Sequence, residues 1–175
     1  MLVLLLSTKI PSPLSHSRTP FLLLACLLAV VGVDTSEDYV NVSGDLVVVD
    51  LTDNTIVRQI PLPGQPDAVD VSKPGSDDLY IAVAIENERD EDLNDGELPQ
   101  LPAGLLTIVD VPDVTDPSTW TSRDVDLTGL DGCRFNTDPE PEYVAINGDN
   151  TLVVVTLQEN NCNVVVELSS GDIGM

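Results

Sequence analysis

Two stretches decide the fold: Gly44-Asp45-Leu46-Val47-Val48-Val49-Asp50-Leu51 and, 60 residues later, Gly104-Leu105-Leu106-Thr107-Ile108-Val109-Asp110-Val111. Each opens on glycine, runs through aliphatic residues rich in β-branched side chains, and closes on aspartate plus one apolar residue. Branched side chains fit a pleated, half-buried surface better than a helix, so both read as strands. After the first, Thr52-Asp53-Asn54 turns the chain into a strand at 55–62, closed by Pro63-Gly64. A third strand at 68–72 ends at Lys73-Pro74-Gly75, and a fourth covers 79–85. After the second stretch, 120–127 matches 55–62. Pro141-Glu142-Tyr143-Val144-Ala145-Ile146 matches Pro66-Asp67-Ala68-Val69-Asp70-Val71, and 151–157 matches 79–85. The units end alike, at Glu86-Asn87 and Glu159-Asn160, and residues 163–168 with Ser169-Ser170-Gly171 open a third.

A repeating four-strand unit predicts an all-β chain of antiparallel four-stranded meanders: about two blades of a β-propeller, a partial propeller over 34–175 with its third unit truncated. A β-sandwich with fortuitous internal similarity is the alternative. The repeat exceeds the usual 40-odd residues because one connection, 86–103, is long.

The 30 acidic residues all lie after Val33, against only Arg58, Lys73, Arg89, Arg123 and Arg134, so the body carries about −25. Such a surface repels nucleic acid and anionic lipid and attracts cations. Ca²⁺, a hard ion that takes oxygen ligands, is the cofactor this chemistry suits; a solvated face tuned for solubility is the plainer reading. The sole histidine, His16, precedes the body, which excludes a Ser-His-Asp triad or histidine-based zinc site after residue 33. No catalytic residue is assigned.

Residues 1–33 hold no acid. Lys9, His16 and Arg18 ahead of an apolar run at 21–33 describe a signal peptide or leader; the rival reading makes 27–33 a strand. The run is shorter than the roughly 20 residues a membrane helix needs. Cys133 and Cys162 form a candidate disulfide, and Asn41-Val42-Ser43 is a glycosylation sequon at Asn41; both fit a secreted or cell-surface protein.

Alternate connections of a meander share an edge, so residues 34–42, 63–65, 86–103, 128–140 and 158–162 fall on one face. That face gathers Glu86, Glu88, Asp90, Asp92, Asp95, Asp138, Glu140 and Glu159 as candidate metal ligands, and puts Cys133 near Cys162. The Asp90–Gly96 run is no EF-hand: the glycine comes one residue late, and position 12 is Leu101. Tyr39, Trp120 and Tyr143 read as packing residues rather than ligand platforms.

The runs Asp34-Thr35-Ser36-Glu37-Asp38-Tyr39-Val40-Asn41, Ala84-Ile85-Glu86-Asn87-Glu88-Arg89-Asp90-Glu91 and Thr156-Leu157-Gln158-Glu159-Asn160-Asn161 resemble loops of secreted bacterial and algal β-propeller proteins. That group comprises esterase-like phytase, alkaline-phosphatase-like and choice-of-anchor proteins, similar to YVTN-type propellers, and the resemblance covers 33–171. It implies an exported propeller of several blades, a strand just before Asp34, and a phosphoesterase-like region beyond the matched stretch; no family catalytic residue maps onto these positions. It also implies that the chain is a truncated or fragmentary product. The expected function is an extracellular binding or scaffold module with an acidic, Ca²⁺-accepting loop face and a cationic or extracellular ligand. The alternatives are a fragment of a metal-dependent phosphoesterase and a truncated product without function. The exposed edges of an incomplete propeller invite self-association.

Overall fold

The computed structural model describes residues 2–8, 25–74 and 78–174. Among the described residues, three antiparallel four-stranded sheets account for almost all of the regular structure. The first is β1 (Leu2–Thr8), β2 (Ala25–Asp34), β3 (Gly44–Asp50) and β4 (Thr55–Leu62). The second is β5 (Pro66–Val71), β6 (Leu79–Ile85), β7 (Leu105–Val111) and β8 (Thr121–Asp126). The third is β9 (Tyr143–Ile146), β10 (Leu152–Leu157), β11 (Cys162–Glu167) and the short β12 (Ile173–Gly174). Strands follow chain order in every sheet, and β1 and β2 lie against β5, as β5 and β6 lie against β9. No sheet closes into a barrel; successive meanders packed through their leading strands are compatible with part of a propeller.

The all-β class and meander topology hold, and the phase of the repeat differs. The sequence grouped 44–85 as one unit; the structure divides it between sheets after β4, giving three sheets rather than about two. A repeat fixes the period and not where a unit begins, and connection length misleads here. Residues 63–65 look like a tight hairpin but cross from one sheet to the next, while the long 86–103 segment joins hairpin partners, with Ile85 opposite Leu105. Residues 27–33 lie inside β2, paired with β1 on one side and β3 on the other. Residues 9–24, which carry the rest of the leader reading, lie outside the described residues.

Two cores fill the spaces between sheets. Leu28, Val30, Leu46, Val48, Ile60 and Leu62 of the first sheet meet Val69, Ile81, Val83, Ile85, Val109 and Val111 of the second. Ala68, Ala82, Ala84, Leu106 and Ile108 on the second sheet's other side meet Val144, Val153, Val155 and Leu157. Each fully buried aliphatic side chain contributes about 1.5–3 kcal/mol, which suffices for a core almost without aromatics. Trp120 is the exception, buried with its indole N–H donating to the Asp113 carbonyl at 2.9 Å.

The joints between sheets repeat with the sequence. Arg58 on β4 donates to the carbonyls of Ser118 (3.4 Å) and Trp120 (3.5 Å) in the next sheet, and Arg123 on β8, its counterpart, donates to the Leu168 carbonyl in the third. Gly44 and Gly104 bring the start of β3 and β7 against Pro66 and Pro141, where a Cβ would come within 2.7 and 2.5 Å of the proline ring. Asp70 accepts from Ile146 N at 2.8 Å, and Asn150 exchanges two 2.9 Å bonds with the Lys73 backbone.

Candidate functional site: an acidic loop face

The loops at the 86–103 end meet as the meander requires, and two buried asparagines fix them. Asn87 accepts from Gln65 N at 3.0 Å and donates to the Ala103 carbonyl at 3.1 Å. Asn160, wholly buried, accepts from Glu140 N at 2.9 Å and donates to the carbonyls of Arg134 (2.9 Å), Asp138 (3.0 Å) and Phe135 (3.4 Å). Each thereby holds the segment entering its own sheet, just ahead of Pro66 and Pro141. Gly64 leaves the space the Asn87 amide needs; a Cβ there would overlap its oxygen.

Arg89 organises the acids around this frame. Its guanidinium lies 2.6 Å from Glu140 and 3.5 Å from Glu159, and its backbone N–H donates to Glu140 at 3.3 Å. Burial pushes the Glu140 carboxyl above its ordinary range, and Arg89 pulls it back without cancelling the shift. For Arg89, burial works against the charge, but the two glutamates outweigh it and hold the guanidinium protonated. Asp138 accepts from Gln100 N at 2.5 Å; burial raises its pKa against that bond and against Arg89. Gln100 also exchanges two 3.1 Å bonds with the Asp90 backbone, so one amide shapes the 90–100 loop.

Beyond the reach of Arg89's hydrogen bonds, the acids crowd one another. Glu86 is half-buried among Asp67, Glu142, Glu88 and Glu140, and burial followed by those charges pushes its pKa to about 8. Burial likewise raises Asp67 and Glu142. Asp67 and Glu142 each follow a proline at matching repeat positions, so the repeat itself doubles the charge here.

The eight candidate metal ligands share this face but not one centre. Glu140 and Glu159 pair with Arg89, Asp138 with Gln100, and Glu88 lies 3.4 Å from the Gln65 amide. Asp90 accepts from Asp92 N at 2.9 Å, while Asp92 and Asp95 are exposed in the loop. Among the described residues no three His, Cys, Asp or Glu side chains are placed to hold a metal ion. Cys133 and Cys162 are disulfide-bonded, with 5.2 Å between their Cα atoms. Asn41 is exposed on the same face, its amide donating to the Asp38 carboxylate at 2.9 Å.

Between residues 34–43 and the 86–103 loop runs an open groove of about 420 Å³. Tyr39, Val40, Leu93 and Leu101 give it exposed apolar walls, and Asp38 and Asp90 stand beside them. Hydrogen bonds from Asn41 and Val40 keep the Asp38 carboxyl below its ordinary range, hence charged at neutral pH. Sequence reading singled out neither this groove nor Gln100 and Asp67. The acid-rich flanks were its signal, but Tyr39 and Leu101 lie far apart along the chain.

Among the described residues no helix is long and apolar enough to cross a membrane. Among curated proteins none matches the chain. Hydrazine synthase of Kuenenia stuttgartiensis is similar in fold, with a TM-score of 0.50 and 13% identity over 82% of this chain and 37% of that one. The present chain thus spans little more than a third of that protein, and at this identity the likeness concerns fold alone. The model of the choice-of-anchor I domain matches residues 24–174. The chain belongs to the choice-of-anchor I domain family.

Proposed function

We propose that the protein is a secreted or cell-surface binding module that takes cationic, partly apolar ligands on its acidic loop face. The groove between 34–43 and 86–103 carries this reading: exposed Tyr39, Leu93 and Leu101 sit beside two carboxylates on a body of about −25. A lysine or arginine side chain with apolar neighbours matches both features, since its stem lies on apolar surface while its head meets the carboxylate. Ca²⁺ enters this reading as a counter-ion gathered by the net charge of the body, not as a chelated ion.

The test is a calorimetric titration of the oxidised chain with acetyl-Leu-Arg-Leu-amide and with its Leu-Glu-Leu counterpart, at low and high salt, with Ca²⁺ alone in parallel. The reading expects binding of the arginine peptide only, weakened by salt, and weakened about twofold to fivefold by Asp90→Asn, which keeps the loop's acceptor oxygen while removing one half-buried charge. Equal binding of both peptides, or of neither, contradicts it. Hydrolysis of a phosphate monoester in the Ca²⁺ arm would instead favour the phosphoesterase reading.

A further inference from the structure

One wall of the groove is stapled from within. Gln100, which lines it, accepts from Asp90 N at 3.1 Å and donates to the carbonyls of Asp90 (3.1 Å), Leu93 (3.2 Å) and Glu97 (3.3 Å). Leu93 and Glu97 bracket Asn94, Asp95 and Gly96, which run consecutively through the left-handed region at φ 53°, 58° and 71°. Such a run is costly for the two residues that carry a Cβ, and it persists where the surroundings hold it. The Gln100 amide ties both ends of this turn. It thereby sets where the Asp90 carboxylate and the Leu93 side chain stand on the groove wall.

Gln100 is held in turn from the loop that enters the third sheet. Its own N–H donates to the Asp138 carboxylate at 2.5 Å, across 38 residues of chain. A backbone N–H bonded to a carboxylate is charge-assisted, roughly twice as strong as a neutral pair. Asp138 is 2% exposed and is not among the residues lining the groove. Its place is fixed without the groove's help: its N–H donates to the Phe135 carbonyl at 2.8 Å, and its carbonyl accepts from Asn160 at 3.0 Å. The Cys133–Cys162 bond closes the same loop onto β11. Beside the contact, Gly104 N donates to the Pro139 carbonyl at 2.8 Å, a second tie between the two loops. The rest of this frame is made with neutral amides, Asn87 and Asn160. A buried carboxylate is costlier than either, so its gain lies in the stronger, directed bond to Gln100 N.

We propose that Asp138 is a positioning residue of the groove: acting through Gln100, it fixes the 90–97 turn in the shape that presents Asp90 and Leu93 to a ligand. The assignment rests on the groove reading, yet the turn it controls can be observed in the free protein. It makes recognition by the second sheet's long loop depend on the loop that opens the third sheet.

The test joins NMR of the free, oxidised ¹⁵N-labelled chain to a titration with acetyl-Leu-Arg-Leu-amide. In the native chain the Gln100 amide proton lies downfield, as a donor to a carboxylate does, and the Asp90 amide exchanges slowly with solvent. Asp138→Ala moves the Gln100 proton upfield, shifts the amides of 90–97, and speeds exchange at Asp90 by about tenfold. It weakens the peptide by about fivefold. Asp138→Asn, which keeps an acceptor oxygen without the charge, lies between the native chain and Asp138→Ala on both readouts; it carries the test alone if the alanine variant loses the native far-UV spectrum. Gln100→Ala weakens the peptide as much as Asp138→Ala, and the double variant no more than either. Val166→Ala, a core truncation in the third sheet, lowers stability but leaves the 90–97 amides and the affinity unchanged. Amides of 90–97 that stay in place when Asp138 is replaced, or a double variant weakened by the product of the two single effects, overturn the proposal. A native chain that does not bind the peptide sinks the groove reading instead, and the amides of the free protein then decide the role of Asp138.

Discussion

Replacing Asn160 by alanine tests the frame of the loop face. The side chain is wholly buried and accepts the hydrogen bond of Glu140 N, while donating two strong bonds to the carbonyls of Arg134 and Asp138. Each net hydrogen bond is worth about 1 kcal/mol, and a buried N–H left unpaired costs about 1–3 kcal/mol. The sum is about 3–5 kcal/mol, a large share of the roughly 5–15 kcal/mol that holds a domain together. For a chain of this length that is about 10 °C in melting temperature. Asn87→Ala removes two bonds and loses about 2 kcal/mol. Asn160→Asp keeps the acceptor for Glu140 N but turns a carboxylate toward three carbonyls, so it is worse than alanine although nearly isosteric. The assay is urea unfolding followed by circular dichroism, with the disulfide intact and an unchanged m-value as the check on a common unfolded state. Losses under about 0.5 kcal/mol for both alanine variants, the level of ordinary surface substitutions, would refute the role given to these asparagines.

Arg89→Leu leaves Glu140 buried without its cation and destabilises by about 3–5 kcal/mol in the same assay, whereas Arg89→Lys restores part of the loss. The pH profile has a worked sign: Glu86 ionises near its ordinary 4.5 when unfolded but only near about 8 when folded, so the native state holds the extra proton between those values and stability falls as pH rises through them. Glu86→Gln flattens that decline. Asp38 and Asp50, lowered by their hydrogen bonds to Asn41 and Thr52, act oppositely: the stability they lend above their unfolded pKa of 3.8 is lost as pH falls toward their lower folded values. Stability measured against pH is therefore greatest on the mildly acidic side of neutrality. Reducing Cys133–Cys162, which lie 29 residues apart, lowers stability by about 3–4 kcal/mol, read as a drop in unfolding midpoint with dithiothreitol.

The strands were legible because β-branched residues and turn chemistry agree along the chain: 55–62 and 79–85 match β4 and β6 to the residue. Parity of connections then placed 86–103, 128–140 and 158–162 on one face, and Cys133 beside Cys162, without knowledge of the sheet boundaries. Those boundaries were not legible, because hydrogen-bond partners across 63–65 and 86–103 depend on packing between sheets that no local signal records. The acids were found and their organisation was not. An acidic run looks the same whichever cation its members face, and no local pattern records the approach of Arg89 to Glu140 and Glu159. Many of the remaining acids do local work as turn acceptors, as Asp50 does for Thr52, Asp53 for Thr55 and Asp126 for Thr128.

The claim that one loop face carries recognition is tested most directly by amide chemical-shift mapping of the ¹⁵N-labelled chain during titration with acetyl-Leu-Arg-Leu-amide. The account predicts shifts concentrated in residues 37–41 and 89–101, around Tyr39, Asp90 and Gln100. Shifts centred instead on 112–120 and 147–151 at the opposite ends of the strands, or spread evenly over the molecule, would contradict it.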